Sequence, residues 1–153
     1  MILDDIHVRP VNHKDITRLF ELAKRSLYEK GIENIKDDIL MTGLKNNLVK
    51  KYKNIDLGLY KLNTLIGFAF IELQKPMYLA KAIATVDTIY ILEEFRNIEN
   101  YQKLLNTTLH TLAKAEITTI KTSDEWTLSN DCEILKAAIL TLGKPKIIYD
   151  LEI

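Results

Sequence analysis

Two apolar rhythms alternate along this chain, one with the period of strands and one with the period of helices. Ile6 and Val8, stopped by Pro10, read as a short first strand. Asn12 then precedes a helix carrying Ile16, Leu19, Phe20, Leu22, Ala23 and Leu27 on its apolar face. Asp15 follows Asn12 at an approximate capping-box spacing, and Gly31 closes the helix. Ile39, Leu40, Leu44 and Leu48 predict a second helix from Lys36 to about Lys50. Two strand-like runs, Asp56 to Leu62 and Leu65 to Leu73, flank a polar turn at Asn63-Thr64 and predict an antiparallel hairpin. Pro76 ends that strand, and the next begins near Ala82.

The stretch around which the rest is arranged runs from Thr85 to Ile117. It opens as a strand through Val86, Ile89, Tyr90, Ile91 and Leu92, rich in β-branched and aromatic residues. A polar turn from Glu93 to Ile98 follows. Tyr101, Leu104, Leu105, Leu109 and Leu112 then recur at helical steps. A strand that turns into a helix aims the helix's unpaired N–H groups at one spot, a place to hold an anion. Beyond it, Ile117 to Ile120 read as a strand and Asp124, Glu125 and Trp126 as a polar loop. Ser129 to Leu142 read as a last helix with Gly143 as its C-cap, and Lys146 to Ile153 as a final strand.

Length and composition narrow the classes. A chain of 153 residues predicts one domain spanning residues 1–153, able to bury roughly 70% of its unfolded surface. Lysine plus arginine equals aspartate plus glutamate, so no global field favours nucleic acid or an acidic membrane. Lys45, Lys50, Lys51 and Lys53 cluster locally, as expected of a solvated helix end. No apolar run approaches the ~20 residues of a membrane span, and MILDDIHVRP does not resemble a signal peptide. One cysteine, Cys132, fits a reducing compartment, so a cytoplasmic protein is expected. His7, His13 and His110 stand apart, which argues against a metal site.

The central stretch resembles the acetyl-CoA-binding segment of the GNAT N-acetyltransferase superfamily. That segment runs apolar strand, acidic pair, aromatic, Arg/Gln-x-x-Gly-x-Gly/Ala, then a helix opening on two leucines. Glu94, Phe95 and Arg96 match the acid, aromatic and arginine, and Leu104 and Leu105 the leucine pair. Glu99 and Tyr101 stand where the family has its two glycines. The opening Ile-x-Val-Arg-Pro and the Gly67-Phe68-Ala69 of the hairpin fit the same pattern. The resemblance implies a GNAT-like α/β fold, a mixed and mostly antiparallel sheet flanked by helices.

It also implies a chemistry that can be checked position by position. Arg96 and the backbone of Asn97, Ile98, Glu99, Asn100 and Tyr101 would hold the acetyl-CoA pyrophosphate, and Ile91 would pair with the pantetheine arm. Asp87 is the candidate general base, with Glu72 a weaker one. The family's general-acid tyrosine falls on Ile139, which cannot donate a proton, and Lys144 replaces the phenylalanine of the family's Gly-Phe pair. The family's nearby asparagine falls on Cys132, with Asn130 close by. A Glu99 carboxylate ~5 Å from a phosphate, at an effective dielectric near 20, would cost about 3 kcal/mol per charge pair, some hundredfold in affinity. Alternatively, Glu99 points outward and stabilises the helix dipole.

Two readings follow. In the first, the fold has lost its enzyme, needs no cofactor and serves as a structural or protein-binding component, as some GNAT-like proteins of tailed phages do in virions. Glu99, Tyr101 and Ile139 favour it, and it predicts a protein partner or self-association. Trp126 is a candidate contact anchor. In the second, the chain is an acetyl-CoA-dependent N-acetyltransferase acting on an amine. Parting of the two central strands would favour the enzyme. Glu99 or Tyr101 filling the groove beside them would favour the degenerate protein.

Overall fold

A computed structural model of the chain describes residues 5–49, 54–74, 82–117, 119–122 and 148–151, the last two stretches through their backbone. Strand β1 (Ile6–Pro10) leads through a 3-10 turn (His13–Asp15) into α1 (Ile16–Glu29) and α2 (Asp37–Val49). Strands β2 (Asn54–Lys61), β3 (Thr64–Gln74) and β4 (Ile83–Ile91) follow. A second 3-10 turn (Glu93–Phe95) opens into α3 (Ile98–Lys114), and β5 (Thr119–Thr122) and β6 (Ile148–Leu151) complete the sheet. The strands lie side by side in chain order. β1 to β4 are antiparallel to their neighbours, and β4, β5 and β6 are parallel. This is the mixed α/β sheet that the sequence predicts.

Residue parity on the sheet shows why the middle strands are apolar throughout. Phe68, Phe70 and Thr88 line a pocket with α1 and α2, whereas Ile55 and Leu57, of opposite parity across the hairpin, line one with α3. Helices therefore cover both faces. β3 is accordingly buried without interruption from Leu65 to Ile71. The α3 stripe of Tyr101, Leu104, Leu105, Leu109 and Leu112 is buried as its period predicts, and Thr108 is buried with it. Truncating a fully buried leucine such as Leu104 to alanine would cost about 2–5 kcal/mol.

The helix ends show where local chemistry wins and where it departs from expectation. Gly31 adopts φ 85°, and the amides of Gly31 and Ile32 bond back to Tyr28 and Leu27 carbonyls, closing α1 in a Schellman motif. Glu116 takes the same position after α3 with φ 61°, its amide on Ala113 and that of Ile117 on Leu112. Ile117 thus finishes the helix cap, and the strand begins at Thr119. No capping box forms at α1: Asn12 Oδ1 accepts from the Lys14 amide at 3.0 Å. Asp15 instead accepts from the Tyr60 hydroxyl at 2.8 Å.

Two other expectations are corrected. The hairpin turn is Leu62-Asn63, since Thr64 already pairs with Lys61, and Leu62 adopts φ 56°. Ile39 is 63% exposed, because α2 buries only Leu44 and Leu48 fully. The expected helix from Ser129 to Leu142, with Asn130, Cys132 and Ile139, lies outside the described residues, as do Trp126, Gly143, Lys144, Pro76 and the lysines at 50, 51 and 53.

Candidate functional site

β4 is the strand on which the site is built. It pairs with β5 only through Ala84, Thr85 and Val86; from Asp87 to Ile91 it has no β5 partner among the described residues. At the same point its register against β3 shifts, Val86 facing Ile71 and Thr88 facing Phe70. Asp87 is the extra residue, a β-bulge that bends the strand as it leaves its neighbour. Asp87, the candidate base, is half-buried at this parting. Glu72, the weaker candidate, pairs with Thr85 near the end of β3, away from the parting.

At the far end of β4 the chain passes into α3. The Leu92 amide bonds to Ile66 on β3 at 3.0 Å. Peptide groups alternate along a strand, so the Ile91 amide and carbonyl lie on the opposite edge, toward the parting. Ile91 expected to meet a pantetheine arm there, but its carbonyl accepts from Arg96 Nε at 2.6 Å. A carbonyl has a second lone pair, so the position remains competent as an acceptor. Behind Ile91, Gly67 is obligatory: a Cβ there would stand 2.7 Å from the Tyr90 carbonyl and 3.1 Å from Ile91 Cγ1.

Arg96 is tied inward. Its guanidinium pairs with Glu29, the last residue of α1, and its side chain is only 10% exposed. Glu29 accepts from the Tyr90 hydroxyl at 2.7 Å through its other oxygen, and the guanidinium lies 5.2 Å from the Tyr90 ring centroid. Burial first, and then the bond to Glu29, push the Tyr90 hydroxyl well above the usual phenol range. Arg96 thus joins α1 to the turn that positions α3. Glu29 escaped the sequence reading because its partners stand 61 and 67 residues away.

The start of α3 has the form of an anion site. Asn97 is its N-cap, Oδ1 accepting from the Asn100 amide at 2.7 Å, and its carbonyl accepts from the Tyr101 amide. Asn100, itself buried, donates from Nδ2 to the Phe95 carbonyl at 2.7 Å and fixes the turn. Among the described residues no acceptor meets the amides of Ile98 and Glu99. These two donors and the helix dipole are what a phosphate needs.

Glu99 and Tyr101 take different paths from this point. The Glu99 side chain is 78% exposed, with Lys103 one turn on at 4.0 Å. Tyr101 is fully buried in the α3 core stripe, and among the described residues its hydroxyl finds no hydrogen-bond partner. Neither glycine replacement therefore puts a side chain over the two open amides.

Among the described residues no three His, Cys, Asp or Glu side chains could hold a metal ion, and no helix is long and apolar enough to cross a membrane.

No family model and no curated protein matches the sequence. Solved structures do match the fold. A possible acetyltransferase from Clostridium difficile 630 superposes with TM-score 0.75 at 15% identity, covering 97% of this chain and 95% of the other. A predicted acetyltransferase from Clostridium acetobutylicum, solved with acetyl-CoA, gives 0.70 at 21% identity over 97% and 95%. The chain has the GNAT fold. An aminoglycoside N-acetyltransferase in complex with CoA gives TM-score 0.72 at 13% identity over 99% of this chain and 95% of that one. Along the chain the parting of β4 from β5, the bulge at Asp87 and the open amides at the start of α3 follow one another in that order.

Proposed function

We propose that the chain is an acetyl-CoA-dependent N-acetyltransferase. The observation that carries this is the open first turn of α3, with Glu99 turned to solvent and the Ile98 and Glu99 amides unmet. The parting of β4 from β5 at Asp87 supports it, as do fold neighbours solved with acetyl-CoA or CoA. Ile98 and Glu99 would hold the pyrophosphate by their amides, and the edge of Ile91 away from β3, its carbonyl shared with Arg96, the pantetheine arm. Acetyl-CoA would supply an acetyl thioester. Asp87, half-buried at the parting, would take the proton of an incoming amine, directly or through water.

A second reading keeps the fold without the enzyme, as a structural or protein-binding component, in a virion for instance. Arg96 favours it, since its guanidinium is committed to Glu29 and Ile91. Ile139 at the general-acid position favours it too. Self-association would use β1, one of the two outer strands of the sheet among the described residues. Thermal unfolding with and without millimolar acetyl-CoA separates the two. A ligand at 100 times its Kd stabilises the fold by about 2.7 kcal/mol, a shift of several degrees in Tm. No shift at any concentration up to 5 mM acetyl-CoA, 100 times a Kd of about 50 μM, would end the first reading.

A further inference from the structure

Arg96 stands just ahead of the open first turn of α3, yet its guanidinium is engaged elsewhere. Its Nε donates to the Ile91 carbonyl at 2.6 Å, and a terminal nitrogen pairs with Glu29. That carbonyl lies on the edge of β4 opposite β3, where β4 has no β5 partner among the described residues. Arg96 therefore crosses the edge along which a pantetheine arm would run. Glu29 is fixed in turn: it is the last residue of α1, and its second oxygen accepts from the Tyr90 hydroxyl at 2.7 Å. With side chains 10% and 31% exposed, the pair is partly withdrawn from water, and neither charge can be left alone cheaply. Each can change partners. Arg25, one turn back on α1, stands near enough for its charge to act on the Tyr90 hydroxyl, so a second guanidinium is at hand for Glu29. Phosphates on the α3 amides would be the second anion for Arg96.

We propose, resting on the acetyltransferase reading, that Glu29 is a latch on the acetyl-CoA site. It holds Arg96 across the Ile91 edge in the ligand-free protein and yields it to the pyrophosphate when acetyl-CoA binds. Glu29 acts through Arg96, as a positioning residue. Moving the guanidinium toward the phosphates clears the carbonyl that Arg96 and the arm would otherwise share. The commitment of Arg96 to Glu29 then regulates the site instead of counting against it. A closed latch lowers the apparent affinity by the fraction of molecules that are open, so a latch closed in about nine molecules of ten weakens acetyl-CoA binding about tenfold. Because Glu29 ends α1 and Tyr90 lies on β4, release also loosens the bond that ties α1 to the strand of the site.

The test titrates acetyl-CoA by calorimetry into wild type, Glu29→Gln, Arg96→Met and the double variant. In parallel, NMR follows the Arg96 Nε–H resonance of the wild type with and without saturating acetyl-CoA. Glu29→Gln keeps an oxygen for the Tyr90 hydroxyl and removes the charge that holds Arg96. It should bind acetyl-CoA about tenfold more tightly. On the Arg96→Met background the same change should alter the Kd less than about twofold, because the latch has nothing left to hold. The wild-type Arg96 resonance should shift once acetyl-CoA is bound. A wild type that binds, with Glu29→Gln no tighter, overturns the latch and leaves the acetyltransferase reading standing. An equal gain on the Arg96→Met background assigns the effect to the carboxylate's charge alone and overturns the latch as well. An unmoved Arg96 resonance at saturation overturns it whatever the variants do, their folding included. Binding by neither wild type nor Glu29→Gln ends the latch together with the acetyltransferase reading.

Discussion

Glu99 decides how much the missing glycine costs, and its charge can be removed without changing its shape. Glu99→Gln leaves the side chain's length and removes only the carboxylate. With the side chain 78% exposed and directed to Lys103, solvent screens it fully. A phosphate on the Ile98 and Glu99 amides would then lie ~8 Å away in a medium of dielectric near 80, about 0.5 kcal/mol per charge pair. Two phosphate charges bring this to about 1 kcal/mol, so Glu99→Gln should bind acetyl-CoA about fivefold more tightly. A carboxylate turned inward predicts about a hundredfold.

Calorimetric titration with acetyl-CoA at two salt concentrations reads the difference. The screening length falls from about 10 Å at 0.1 M to about 3 Å at 1 M. The gain should therefore shrink to within about twofold at 1 M salt. The same variant loses an acid from the first turn of α3, which costs about 0.3–1 kcal/mol of stability. Glu99→Gln should thus melt slightly lower and bind slightly better. A gain of about fiftyfold or more that survives 1 M salt would refute the outward geometry. Glu99 would then be the residue that closes the site.

Periodicity made most of this legible, including the part that matters for Glu99. The α3 stripe of Tyr101, Leu104, Leu105, Thr108 and Leu112 fixes the buried face, and Glu99, two residues before Tyr101, falls on the opposite one. The bulge also leaves a trace. Buried β4 residues run Ala84, Val86, then Ile89, Tyr90 and Ile91, and the three-residue step across Asp87 and Thr88 breaks the strand period. The Glu29 clasp left none, because three residues distant in sequence meet only after α1 docks on the sheet. Ile39 misled because a helical stripe cannot say how wide its buried face is. The hairpin turn slipped by one because Leu62 adopts a left-handed φ that leucine seldom takes.

The closing residue of α3 gives a stability prediction. Glu116 holds φ 61° where glycine is free of strain, so Glu116→Gly should stabilise the fold by about 1 kcal/mol in urea unfolding. No gain, or a loss, would mean that the Glu116 side chain contributes more than its strained backbone costs. Alkaline stability tests the two phenols. Tyr60 is pushed up to about 12 by burial, then by its bond to Asp15, and Tyr90 is raised by burial and Glu29. A phenol that ionises less readily when folded stabilises the protein fully below its unfolded pKa of about 10. That stability is lost as pH rises through the folded value. Wild-type stability should therefore hold to about pH 10 and fall steadily from there toward pH 12. Tyr90→Phe cannot ionise at that position and should flatten the decline, while lowering stability at pH 7 by leaving Glu29 one donor short. An unchanged alkaline slope in Tyr90→Phe would mean that the hydroxyl is not held by Glu29, and the clasp joining α1 to the Arg96 turn would lose its second bond.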